Sequence, residues 1–268
     1  MSKAYAEWFQ WDIRILRSNH FSGTMLGTVR QIHNLPAIVI LASSVMMSQT
    51  APKSQCKAAA EAVATHIGHP LALNAAHPDP EWKQAQPISF CSDWQGKNPD
   101  PARATTVRLL WNAQTLYLRF ECRYREIFIF DDSDPNGRRD HLWERDVAEM
   151  FLQEDPSQPH DYKEFEISPN GMWIDLDISR NGLADLKSGL QRSVSLDKAS
   201  KLWAAELAIP LKSLSSKFDP AREWRVNFFR VEGSQEPRNY FAWRPTHSPQ
   251  PNFHVPEAFG VLRFSGQP

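Results

Sequence analysis

The sequence predicts an all-β protein, an antiparallel β-sandwich of two packed sheets and about ten strands behind a short N-terminal leader. Three observations carry that expectation. From residue 105 onward apolar residues recur at every second position. Turn residues interrupt these runs at short intervals. No stretch shows the three-to-four spacing of a long amphipathic helix.

Thr106 to Trp111 alternates, Asn112-Ala113-Gln114 is a turn, and Leu116 to Tyr124 alternates again. In the second run Leu116, Leu118, Phe120, Cys122 and Tyr124 share one face, and Tyr117, Arg119, Glu121 and Arg123 the other. This is a half-buried hairpin. Further strands are expected over 147–152, 163–168, 172–178, 190–196, 202–210, 224–232, 240–243 and 260–264. Pro210 ends its strand, and Leu211 to Leu214 reads as a single helical turn. Asp79-Pro80-Glu81-Trp82 is a turn leading into a short element, with Trp82 as a core plug.

The N-terminal region is different. Met25 to Asn34 is a basic lead, 35–47 an apolar run, and the residues after it are small or polar, the layout of a secretory signal. Translation is expected to start at Met25, with cleavage within 48–51. The apolar run is about a dozen residues, short of the roughly 20 that a membrane span needs. Residues 1–51 thus read as extension and signal-like segment, 52–65 as a polar, alanine-rich linker, and 66–266 as the sandwich.

The chain has 30 basic and 31 acidic residues, a balance that gives no footing for nucleic acid or an anionic membrane as partner. Cys56, Cys91 and Cys122 show no zinc-ligand spacing. Cys122 lies in an apolar strand and reads as core. A Cys56–Cys91 bridge is compatible with the sequence but not fixed by it.

Three kinds of chemistry are open. Trp143, Trp243 and Phe253 sit in or beside loops, where flat rings can stack on the apolar faces of sugars. Each could equally be core. Glu149, Arg230, Arg244, Gln250 and Asn252 would supply hydrogen bonds to sugar hydroxyls. Asp132-Ser133-Asp134-Pro135-Asn136-Gly137 matches the opening of an oxygen-ligand calcium loop, with Asp132, Asp134 and Asn136 as ligands and Asp140 and Asp155 as further candidates. Position twelve is Trp143 and no helices flank the loop, so it is not an EF-hand; a solvated turn is the competing reading. Asp146, Glu149, Glu164 and Glu166 could pair for glycoside hydrolysis. Asp146 and Glu149 differ by an odd step and point to opposite faces of a strand. Glu164 and Glu166 share a face beside Lys163 and read as solvated. A haem held by two of Met150, Met172, His141 and His254 has no spacing to favour it.

Leu142-Trp143-Glu144-Arg145-Asp146-Val147-Ala148-Glu149-Met150-Phe151 resembles a W-E-x-D-x-V/A-E-x-F motif of family 9 carbohydrate-binding modules. Tyr162 to Gly171, Trp203 to Pro210, Asn227 to Arg230, Ala242 to Thr246 and Phe253 to Leu262 resemble its later strands and ending. The resemblance covers roughly 66–266. It implies a sugar-binding β-sandwich, often with structural calcium and commonly attached to polysaccharide-degrading enzymes. It places a two-ring clamp at Trp143 and Phe253 and the ligand-bonding glutamate at Glu149. The family's arginine falls near Glu166, with Arg230 as the expected substitute.

The expectation is an exported, non-catalytic carbohydrate-binding protein acting in polysaccharide recognition or breakdown. Its ligand residues are Trp143, Glu149, Arg230, Trp243, Gln250 and Phe253, with a structural calcium. The competing readings are an accessory of an endo-xylanase-type glycoside hydrolase, or a divergent sandwich for another small molecule or a partner protein.

Overall fold

The computed structural model describes residues 56, 59–131 and 137–266. The signal-like segment and Asp132, Asp134 and Asn136 lie outside the described residues.

Among the described residues thirteen strands form the architecture. They are β1 (Ala62–His66), β2 (Ile88–Phe90), β3 (Thr105–Trp111), β4 (Thr115–Arg123), β5 (Val147–Gln153), β6 (Tyr162–Ile167), β7 (Trp173–Ser179), β8 (Gly182–Asp185), β9 (Gln191–Asp197), β10 (Leu202–Pro210), β11 (Trp224–Glu232), β12 (Asn239–Ala242) and β13 (Gly260–Ser265). One helical turn, α1 (Leu211–Leu214), follows Pro210 as the sequence suggests. Asn112 makes the β3–β4 turn by accepting from the N–H groups of Gln114 and Thr115, both at 2.9 Å.

The expected pair of antiparallel sheets is not what the backbone forms. The strands lie on one hydrogen-bonded path in the order β8-β7-β6-β5-β11-β13-β1-β3-β4-β10-β9, with β12 on β11 and β2 on β3. The sheet is mixed, because β1 runs parallel to both neighbours, β13 and β3. No hairpin joins β1 to either strand, so no tight turn dictates its direction. Here β1 also corrects the expected boundary: Ala62 to Thr65 falls inside the stretch read as linker, yet Ala62 and Ala64 are fully buried at the middle of the sheet. Small side chains hid the strand, because alanine carries little β signal.

The sheet curls over on itself. Phe120 on β4 meets Phe228 on β11 with ring centroids 6.3 Å apart, although β13, β1 and β3 lie between them in the sheet. The ends also approach: Arg192 on β9 donates from Nε to the Gly171 carbonyl at 2.7 Å and lies over the Trp173 ring. Side chains, not a backbone ladder, close this half-barrel. The main core fills its concave side with Phe120, Trp203, Trp224, Phe228 and Trp243 among others. On the outer face of β3 and β4, residues 67–85 pack Ile67, Leu71 and Trp82 against Leu110 and Tyr117. Tyr117 and Arg119 are therefore buried, where alternation alone had put them toward solvent.

A disulfide joins Cys56 to Cys91, with Cα atoms 5.4 Å apart, and fixes the segment ahead of β1 to the end of β2. Cys122 is buried and free, as expected of a core residue, and burial pushes its thiol up to about 12.

Candidate functional site

The candidate site is the second face of β5, β6, β7 and β11, opposite the main core. Strand parity builds it. Val147, Glu149 and Phe151 come from β5, and Tyr162, Glu164 and Glu166 from β6. Ile174 and Leu176 come from β7, and Phe229 and Val231 from β11. Leu142, Phe253 and Phe259 pack on this face, with Trp143, Trp94 and Tyr240 half-buried at its margin.

Trp143 lies in a 3-10 turn, Leu142–Glu144, entered through His141 in a left-handed conformation at φ 57°. The imidazole of His141 lies 4.8 Å from the indole, and Arg238 donates from Nη1 to the Trp143 carbonyl. Phe253 is on the same apolar cluster but is no open platform. It is only 9 % exposed and lies flat on Phe229, with centroids 4.1 Å apart and planes 11° apart, while Tyr240 meets it edge-on. Its neighbour His254 shares a 2.8 Å hydrogen bond with the Tyr162 hydroxyl and packs against Phe151. Burial holds the His254 pKa down and the Tyr162 pKa up.

Glu149 is on this face and buried. It stands opposite Glu166 in the β5–β6 register, as Phe151 stands opposite Glu164. All three glutamates are buried, so the solvated position expected for Glu164 and Glu166 is corrected: the 253–259 segment and its neighbours cover what would otherwise be an open sheet face. Glu149 Oε1, Glu164 Oε2 and both oxygens of Glu166 meet no N–H or hydroxyl donor, and Glu164 and Glu166 lie close enough to share a proton between their carboxyls. Burial, then mutual repulsion among the carboxylates, raises the pKa of Glu149 and Glu166 well above the usual range. The guanidinium of Arg238 opposes this at Glu149.

Arg230 does not join them. In the register it pairs with Ala148, while Phe229 pairs with Glu149, so Arg230 points into the main core. There it is fully buried, lies over the Trp203 ring, and stands 3.7 Å from Asp146 and 3.6 Å from Glu232. The odd step between Asp146 and Glu149 had separated those two correctly, and the same parity excludes Arg230 from the Glu149 face. Asp146 accepts from the Gly233 N–H at 2.8 Å and so ties two loops together; burial pushes its carboxyl up to about 6 against the pull of Arg230.

Trp243 is also core, contrary to its expected ligand role. It packs on Phe228, donates from Nε1 to the Ala59 carbonyl at 3.1 Å, and lies so close to Gly260 that a Cβ there would sit 2.6 Å from the ring. Gln250 is exposed in the loop ahead of Phe253, and its carbonyl accepts from the Ser248 hydroxyl. The structure thus places Trp143, Glu149 and Phe253 on the same side of the sheet, and sets Arg230 and Trp243 elsewhere. Sequence reasoning missed Arg238, Tyr162 and His254 as parts of this face. The parity of Tyr162 with Glu164 was a usable signal; Arg238 and His254 sit in turns and loops that carry no period.

Among the described residues no group of three histidine, cysteine or acidic side chains is arranged to hold a metal. A depression of about 320 Å³ at the far end of β6 and β7 is lined by Glu154, Asp155, Asp161, Lys163 and Asp177. Another of about 290 Å³ is lined by Arg103, Glu126, Glu232 and Asn239. Neither includes Trp143, Glu149 or Phe253.

The fold is shared with solved structures. A Bacteroides uniformis protein matches with a TM-score of 0.57 at 16% identity, covering 76% of this chain and 98% of that one. A family 9 carbohydrate-binding module from Caldicellulosiruptor kristjanssonii, in complex with cellotriose, matches with a TM-score of 0.55 at 15% identity, over 77% of this chain and 94% of that one. In sequence, a protein of Arthroderma benhamiae named "Extracellular protein" is 29% identical over 221 residues, 76% of this chain and 96% of its own length. The model of the family described as "Carbohydrate family 9 binding domain-like" matches residues 74–267. On that match, which spans the curled sheet from the segment before β2 to its last strand, the chain belongs to the carbohydrate family 9 binding domain-like family.

Proposed function

We propose that the chain is an exported, non-catalytic carbohydrate-binding protein, with its sugar site at the Trp143–Glu149 face, and that it serves polysaccharide recognition or breakdown. The observation that carries this is the family match, and the fold supports it by setting Trp143 at the margin of the sheet face on which Glu149 lies. Sugars need that combination, since a ring covers the apolar C–H face and a carboxylate accepts from hydroxyls. A C. kristjanssonii module of the same fold has been solved with cellotriose and with glucose.

Export is supported by the Cys56–Cys91 disulfide, which favours an oxidising compartment, and by the name of the A. benhamiae relative. Among the described residues no helix is long and apolar enough to cross a membrane. Calcium is proposed on the sequence pattern of Asp132, Asp134 and Asn136. Of the two further candidates, Asp140 is engaged by Arg138 at 2.8 Å and Asp155 lies 3.5 Å from Arg222.

Calorimetry against cello-, xylo- and gluco-oligosaccharides tests the reading. Binding that is lost in Trp143→Ala supports it; binding that Trp143→Ala leaves intact, or no binding to any sugar, overturns it. Release of reducing sugar that disappears in Glu149→Gln would instead make the chain a hydrolase. The packing of Phe253 on Phe229 favours a second reading, a divergent scaffold for another small molecule or a partner protein, which the absence of any sugar binding would leave standing.

A further inference from the structure

Four oxygens on one sheet face meet no N–H or hydroxyl donor: Glu149 Oε1, Glu164 Oε2, Glu166 Oε1 and Glu166 Oε2. Buried polar groups are almost always satisfied, and buried charges almost always paired. Elsewhere buried charges meet opposite charges: Arg230, whose nitrogens also lack hydrogen bonds, lies 3.7 Å from Asp146 and 3.6 Å from Glu232. Buried Glu206 is paired with Arg119 at 2.6 Å and receives the Asn74 N–H at 2.8 Å. On this face lie three carboxylates, and among the described residues the one cation in electrostatic reach is Arg238, acting on Glu149 and already engaged with the Trp143 carbonyl and Glu236. Among the described residues no cation acts on Glu166, whose carboxyl feels those of Glu149 and Glu164.

A neutral sugar would satisfy some of these acceptors but supply no positive charge to let the carboxyls ionise together. An ammonium carries three N–H donors and one positive charge, and so answers both deficits at once. We propose that this face takes an amino sugar, with its protonated amine seated among Glu149, Glu164 and Glu166 and its ring against Trp143. This rests on the carbohydrate reading of the same face. Phe253 and His254 pack on the same face, against Phe229, Phe151 and Tyr162, and the ligand enters as that segment lifts from them. The groups that face the cluster are Tyr162, His254 and Arg238, and neither His254 nor Tyr162 is positioned to neutralise it: burial disfavours the imidazolium, and the phenol carries no positive charge. Because burial and mutual repulsion hold Glu149 and Glu166 protonated in the free protein, seating the ammonium drives a proton off the pair.

Calorimetry on the whole protein at slightly acidic pH, with glucosamine, glucose, N-acetylglucosamine and lysine, tests this. Glucosamine is expected to bind at least about ten-fold more tightly than the two neutral sugars. Its heat is expected to change between phosphate and ACES buffers, both of which accept protons at that pH, as the cluster releases its proton. Glu166→Gln is expected to bring the glucosamine-to-glucose ratio to within about two-fold, a ratio that needs only that the variant folds. Equal affinity for all three sugars, or a ratio unmoved in Glu166→Gln, overturns the amine assignment and leaves carbohydrate binding standing. Lysine binding as tightly as glucosamine overturns the sugar half. No binding to any sugar overturns the carbohydrate reading itself.

Discussion

Glu149 and Glu166 stand directly opposite each other on β5 and β6, both buried and both with an oxygen that no N–H or hydroxyl donor satisfies. A cross-strand pair of like charges is unfavourable even on an exposed sheet. Here Glu164 adds a third carboxylate to the same face.

That arrangement sets a pH dependence. Burial holds Glu149 and Glu166 above their unfolded pKa, so the native state keeps protons that the unfolded chain has already released. Their contribution is fully present below the unfolded glutamate pKa and is lost as pH rises through the raised native values. Asp146 has the same sign, with its window running from 3.8 to about 6; for that group alone the loss is on the order of 3 kcal/mol. His254 acts oppositely, with stability lost as pH falls below 6.5. Thermal melts should therefore show Glu166→Gln more stable than the parent at neutral pH, by roughly 1–3 kcal/mol, with the difference shrinking below about pH 4. Identical melting curves at both pH values would refute the like-charge account.

Arg238 anchors Trp143 through its carbonyl, with Glu236 accepting from Nε at 2.9 Å. Arg238→Ala should free the 3-10 turn and weaken sugar binding about ten-fold while Trp143 itself stays in place in the sequence. The readout is affinity together with Trp143 fluorescence anisotropy; unchanged affinity would show that the turn holds without Arg238.

The Cys56–Cys91 bridge closes a loop of sequence separation 35. Loop-closure entropy for that length gives about 4 kcal/mol of stabilisation. The Cys56→Ser, Cys91→Ser double variant should melt well below the parent under non-reducing conditions. Coincident melts would mean that the segment ahead of β1 is held by its packing alone.

Trp243 and Gly260 form a close contact across β13. Trp243→Ala should cost about 3–5 kcal/mol. Gly260→Ala should cost roughly 1–3 kcal/mol, because its new Cβ meets the rigid indole. Denaturant titration measures both, and a neutral Gly260→Ala would show that the ring can shift.

For the 132–136 loop, a chelator should lower the melting temperature, and Asp132→Ala should abolish that effect. A melting curve indifferent to chelator would leave a solvated turn in place of the calcium site.

Much of the fold was legible because alternation is a local property. β4, β10 and β11 fall where the period of two puts them, and Pro210 and Leu211–Leu214 end and cap β10 as read. Strands with weak side-chain signals were not legible: β1 is alanine-rich, β2 spans three residues, and β8 has only Leu183 as a large apolar residue. At the site, parity separates Asp146 from Glu149, whereas the face of Arg230 follows only from its partner strand and register.

By itself the sequence determined that the protein is all-β, where most strands run, and that Trp143 and Glu149 lie within a few residues of each other at a strand entrance. The tertiary structure decided the rest. It set β1 parallel between β13 and β3, turned Arg230 and Trp243 into the core, laid Phe253 flat on Phe229, and buried Glu149, Glu164 and Glu166 together. The physical reason is that periodicity says which face of a strand a side chain takes, whereas burial depends on what distant chain comes to cover that face. Here residues 253–259 cover one and 67–85 another, and no local pattern in β4 or β6 records their arrival.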